Sequence, residues 1–141
     1  ETESTAEAVT RTVMAAPDGR AGINPTGSAA LATGGTGEVL AGGGDWAVER
    51  SGTAQLEARY LLRADDGAVI DILNRGYYRA SAAVMARVEA GENVPEDEYY
   101  FRTAPVFQTD AAPHRWLAEH QFIGLARDEA GQVCVRVYVV R

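Results

Sequence analysis

A carboxylate, a phenol and a guanidinium are enough to move a proton and hold the charge that results. This chain offers all three next to aromatic side chains. Asp45-Trp46, Glu57, Arg59-Tyr60, the run Tyr100-Phe101-Arg102 and Trp116 are its concentrated polar and aromatic groups. A carboxylate paired with a tyrosine can exchange a proton with a substrate, and arginines can hold a carboxylate or an enolate. What the groups do depends on where their strands aim them. Alternate residues of a strand point to opposite faces, so Glu57 shares a face with Arg59, Tyr100 with Arg102, and Arg136 with Tyr138. These polar faces either meet solvent, the ordinary position of arginine on a sheet, or line an interior. In the stretch "EYYFRTAPVFQT" (98–109), Tyr100 and Arg102 point one way and Phe101 the other, so at most half of it can belong to one site.

Other chemistries fit poorly. The run "GGTGEVLAGGG" (34–44) has phosphate-loop composition, but no Lys-Ser/Thr follows it, the third glycine is missing at its required offset, and no helix pattern begins there. Glycines at strand bends explain it better. His114 and His120 stand six apart with no further ligands to complete a metal site. No GxSxG elbow surrounds Ser28, Ser51 or Ser81, and Cys134 falls within a strand pattern, where a lone cysteine packs as a small hydrophobe. No metal or redox-cofactor signature is present, so the expected cofactor complement is none.

The positioning elements are mostly strands. Gly-bearing turns recur at short intervals in the first forty residues, as between short strands. From Gln55, apolar Leu56, Ala58, Tyr60 and Leu62 alternate with Glu57, Arg59 and Arg63. Asp66-Gly67 marks a hairpin, and Ala68 to Asn74 reads as the return strand. "RASAAVMARVEA" (79–90) is the one helix pattern, stopped by Gly91. Tyr99 to Phe107, interrupted near Pro105, Gln121 to Asp128, and Gln132 to Val140 complete the strands. About eight to ten strands without a βαβ rhythm predict a mainly β fold, a closed antiparallel barrel with one α-helix at about 79–90.

Size and charge bound the partners. The chain has 141 residues, the size of one domain (1–141), with 13 Lys plus Arg against 20 Asp plus Glu, a net charge of −7. Its basic residues are scattered, which argues against nucleic acid and anionic membrane surfaces as partners. No apolar run is long enough to span a bilayer, and "ETESTAEAV" does not read as an export signal. With one cysteine, the expectation is a soluble, cytoplasmic protein.

Taken in order, "GGGDW" (42–46), "ARYLLRADDGAVIDILNRG" (58–76), "YYFRTAPVFQT" (99–109), "RWL" (115–117) and the closing "VRVYVV" resemble the DUF3237, or UPF0311, family of uncharacterised proteins, from about residue 8 to the C-terminus. The resemblance implies a closed, mostly antiparallel barrel with a helix beside it. It also implies that Asp45-Trp46, Arg59-Tyr60, Tyr100-Phe101-Arg102 and Trp116 line a cavity. Gln108 stands where the family pattern has an acid, and Ala118 where it has an asparagine, so roles for those groups do not transfer to this chain.

The resulting expectation is a pocket for a small, partly aromatic organic molecule, with cofactor-independent isomerase, cyclase or lyase chemistry. Asp45 is then the general base, Tyr60 or Tyr100 the proton donor, Arg59 with Arg102 the anion clamp, and Trp46, Phe101 and Trp116 the pocket walls. Two alternatives use the same residues: a non-catalytic carrier or sensor, and a homo-oligomeric structural module with a filled barrel.

Overall fold

A computed structural model describes residues 12–15, 28–30, 36–129 and 132–140. The strands are β1 (Thr12–Ala15), β2 (Ser28–Ala30), β3 (Thr36–Val39), β4 (Gly44–Arg50), β5 (Thr53–Ala64), β6 (Val69–Arg79), β7 (Tyr100–Gln108), β8 (Gln121–Glu129) and β9 (Gln132–Val140), with helix α1 (Ala82–Glu89) between β6 and β7. Short 3-10 helices cover Glu96–Glu98 and Ala112–Glu119. All ladders are antiparallel, in the order β1-β9-β8-β7-β6-β5-β3-β2, and β4 pairs β5 beyond the end of β3. No helix among the described residues is long and apolar enough to cross a membrane.

The period of two decides which side is the core. On β5, Ala58, Tyr60, Leu62 and Ala64 are buried while Glu57, Arg59, Leu61 and Arg63 are not. Ile70, Ile72 and Asn74 of β6, Phe101, Thr103 and Phe107 of β7, Phe122 and Ala126 of β8, and Val135 and Val137 of β9 continue the concave face. Burying each large aliphatic side chain there contributes roughly 1.5–3 kcal/mol, far more than the exposed ion pairs outside, and this difference sets the direction of curl.

Three expectations change. The sheet is a half-barrel of the seven strands β3 to β9, extended at its ends by β1 and β2, and is not closed among the described residues. Closure needs a continuous ladder with a fixed stagger, and none joins β1 to β2, strands of four and three residues. The helix starts at Ala82 instead of 79 because β6 continues to Arg79. Ser81 then caps the helix, its hydroxyl accepting from the Val84 N–H at 3.2 Å. The strand through Pro105 is unbroken. Proline withdraws a donor, and Pro105 lies past the β7–β8 ladder at Arg102–Leu125 and Thr103–Gly124.

The β5–β6 hairpin turns where expected. Gly67 adopts φ +86°, its N–H donates to the Ala64 carbonyl at 2.9 Å, and Asp66 Oδ1 accepts from the Ala68 N–H at 2.9 Å. The glycine run takes the strand-bend reading: it holds β3, a turn and the start of β4. A Cβ at Gly43 would lie 2.7 Å from the Arg59 carbonyl oxygen, so glycine permits close approach of the chain to β5. Most of the Gly-rich N-terminal turns lie outside the described residues.

Candidate functional site

Small residues and orphaned oxygens meet at one place on the concave face. Asp45 of β4, Ala58 of β5, Asn74 of β6 and Pro105 of β7 are successive cross-strand partners, forming one row across four strands. Ala58 is the low point of the row, with Asp45 on one side and Asn74 on the other. Strand spacings of about 4.8 Å put the two polar residues roughly 10 Å apart. Tyr60, buried, follows Ala58 on the same face and lies diagonal to Asp45. In the next row Thr103 stands between Gly76 and Gly124. A Cβ at Gly124 would come within 2.1 Å of Thr103 Oγ1 and one at Gly76 within 2.7 Å of Thr103 Cγ2, so the hydroxyl is fitted between two strands that have no side chains there.

Asp45 Oδ1, Asn74 Oδ1 and Thr103 Oγ1 are all buried and without a hydrogen-bond partner. Asn74 is 5% and Thr103 8% exposed. A buried polar atom left unsatisfied costs about 1–3 kcal/mol, so three on one face call for a reason other than folding. Burial pushes the Asp45 carboxyl above the usual carboxylate range, because removing water disfavours its charged form. The site is therefore a cluster of three buried oxygens, from a carboxyl, an amide and a hydroxyl, in a wall that is otherwise apolar.

The structure divides the residues expected from sequence. Asp45 and Tyr60 come together. Phe101 is buried two residues before Thr103 on the same face and packs edge-on against Tyr78, with ring centres 5.3 Å apart. Trp116 lies in the 3-10 helix and packs against Phe122 at 5.9 Å. Arg59, Tyr100, Arg102 and Trp46 are corrections, because they stand on the convex face and not in an interior. Arg59 and Tyr60 are strand neighbours, so only one could face inward, and the apolar row carried Tyr60. The Arg59 side chain is 61% exposed and pairs with Asp71 at 3.2 Å. Tyr100 lies beneath the Arg79 and Arg102 guanidinium groups, at 4.2 and 5.6 Å from its ring centre, and Arg102 Nη1 donates to the Phe101 carbonyl. Outside, these cations find a carboxylate, a carbonyl and π-faces, and burying a guanidinium in the largely apolar concave wall would cost far more.

Trp46 and Arg59 do share a place, an open convex groove of about 490 Å³ that also borders Arg50, Glu57 and Arg75. Arg75 is held there by Glu57 at 2.9 Å. His114, buried at the other end of the sheet, has its Nε2 2.6 Å from Asp66 Oδ2. This contact pins the 3-10 helix to the β5–β6 turn.

Asn74 and Thr103 are the members that sequence reasoning passed over. Their signal was parity: Asn74 continues the inward series Ile70, Ile72, and Thr103 sits between Phe101 and Phe107 in the inward series of β7. A polar residue in phase with an apolar row is more telling than an arginine out of phase with it.

Comparison with known proteins agrees with the ordered blocks. The family described as "Protein of unknown function (DUF3237)" matches residues 4–140. A UPF0311 protein of Clostridium acetobutylicum is 37% identical over 105 residues, covering 74% of this chain and 66% of that protein, so the match spans slightly less than two thirds of the relative's length. One of Rhodopseudomonas palustris is 36% identical over 106 residues, 74% of this chain and 69% of that protein. In three dimensions the chain is similar to a conserved protein of unknown function from Rhodopseudomonas palustris, with a TM-score of 0.80 at 27% identity over 96% of this chain and 95% of that one. It is also similar to a beta-barrel-like protein from Acinetobacter baumannii, with a TM-score of 0.66 at 26% identity over 94% and 92%. Sequence blocks, fold and relatives converge, and the chain belongs to the DUF3237 (UPF0311) family.

Proposed function

We propose that the concave face binds a small, partly aromatic organic molecule and performs cofactor-independent acid–base chemistry on it, with Asp45 as the proton-transferring group. The observation that carries this reading is the set of three partnerless oxygens around Ala58 and Thr103. Because the unpaired atoms of Asp45 and Asn74 are acceptors, the ligand is one that donates: a phenol, an enol or another hydroxyl- or N–H-bearing ring. It is not the carboxylate that inward arginines would have held. Asp45, whose carboxyl burial holds above the usual carboxylate range, takes the proton. Tyr60, on the same face and diagonal to it, returns one, and Asn74 with Thr103 fixes the ring's polar substituents. Phe101 borders Thr103 and supplies aromatic surface. Tyr100, on the outer face, leaves the donor role to Tyr60.

The test is a thermal-shift series with small neutral phenols and with benzoates of equal size. Phenols should raise the melting temperature of the wild type, benzoates should do so less, and Asp45→Asn and Thr103→Val should each lose the response while remaining folded. An equal response from all three proteins removes the site. Binding that survives in Asp45→Asn and is lost only in Thr103→Val replaces the enzyme with a carrier.

A further inference from the structure

We propose that β4 is a dimerisation edge, along which a second copy of this chain adds its own β4 in antiparallel register about a two-fold axis at Val48. β4 pairs on one side with β5 across Gly44–Arg59 to Arg50–Thr53, and no ladder occupies its other side among the described residues. An open edge of seven residues presents backbone donors and acceptors that another strand can satisfy. "GDWAVER" contains no proline to interrupt such an edge. Its convex side exposes Trp46 at 52% and Val48 at 50%.

The side chains choose both partner and register. A two-fold axis that keeps convex faces together must pass through a residue, so it lies at 46, 47, 48 or 49. An axis at Ala47 sets Asp45 against Glu49 of the second copy, twice, and an axis at Glu49 sets Glu49 against itself; like charges directly opposite are destabilising. An axis at Trp46 places two indoles on one another, although each already lies over its own Gly44, where a Cβ would be 2.9 Å from the ring. An axis at Val48 pairs valine with valine, Glu49 with Ala47, and Trp46 with Arg50 in both directions. That last pairing is a cation over an aromatic ring.

Arg50 is suited to it. Arg59, Arg63 and Arg75 on the neighbouring strands are each engaged by a carboxylate, at 3.2, 3.2 and 2.9 Å, whereas Arg50 has no ion-pair partner among the described residues. A ribbon this short involves fewer than the roughly 20–30 residues a side of a standard interface, so the dimer is concentration-dependent.

Sedimentation velocity on the full chain should show monomer passing to dimer as concentration rises from about 1 to several hundred μM, a range suited to so small an interface. Val48→Lys should remain monomeric with an unchanged melting temperature, since Val48 is a half-exposed side chain. Val48→Cys should form a disulfide-linked dimer on mild oxidation, because residues facing each other across an antiparallel pair have Cα atoms about 4.5–5.5 Å apart, within disulfide reach. Ala47→Cys should not, and the native Cys134 is buried. Monomer at every concentration overturns the proposal, and so does linkage through Trp46→Cys in place of Val48→Cys.

Discussion

Asp45 occupies a position that folding alone does not favour. Its raised carboxyl means that the folded protein holds the proton more tightly than the unfolded chain. Stability therefore falls as pH rises from the unfolded carboxylate value, about 3.9, through the folded one, and stays lower above it. Asp45→Asn should remove that loss, so its melting temperature should match or exceed the wild type's at pH 7 and the gap should close toward pH 4, as read by calorimetry at several pH values. Thr103→Val tests the same idea without charge. It replaces a partnerless buried hydroxyl by a methyl of equal shape, and chemical denaturation should find it unchanged or stabilised by about 1 kcal/mol. Arg59→Ala is the contrasting case. Its exposed ion pair with Asp71 is worth little, so stability should move by no more than about 0.5–1 kcal/mol and phenol binding not at all.

Among the elements, the β5–β6 turn does more than reverse the chain. Asp66 accepts from Ala68 and contacts His114, and these hydrogen bonds, Ala68's first, hold its carboxyl below the usual range. The sign is opposite to that of Asp45: the stabilisation is present above the unfolded carboxylate value and is lost as pH falls through the folded one. Asp66→Asn should be less stable than wild type at pH 7, and the difference should shrink below about pH 4, measured as melting temperature against pH. The turn was legible in the sequence because Asp-Gly between alternating runs is a local signal. Its link to His114 was not, since 48 positions separate the partners and no local pattern joins them. The helix was legible for the same reason as the turn. Its first residues were misplaced because strand and helix propensities at Arg79 to Ser81 are similar, and the β6 ladder to Tyr100 decided between them.

Across the whole molecule, the curl of the sheet is the quantity on which every site assignment turns. Parity on β5 and β7 was readable directly, and it grouped Arg59 with Glu57 and Tyr100 with Arg102 correctly. The choice of which group faces inward depends on what the opposite wall contributes. The apolar rows of β6, β8 and β9 drew Tyr60 and Phe101 inward and left the arginines outside, so Asp45 and Tyr60 remain in the candidate site while Arg59 and Arg102 do not. Edge behaviour also belongs to this scale, because β3 and β4 share one side of β5 and β2 pairs β3 alone, which leaves β4 without a second ladder among the described residues.

The central claim is that ligand chemistry belongs to the concave acceptor cluster and not to the convex groove. Its most direct test is an NMR titration of the isotope-labelled chain with catechol, a small aromatic donor, followed residue by residue. Shifts centred on Asp45, Ala58, Tyr60, Asn74 and Thr103 are the predicted result. Shifts confined to Trp46, Arg50, Arg59 and Arg75, with the concave residues silent, would contradict it.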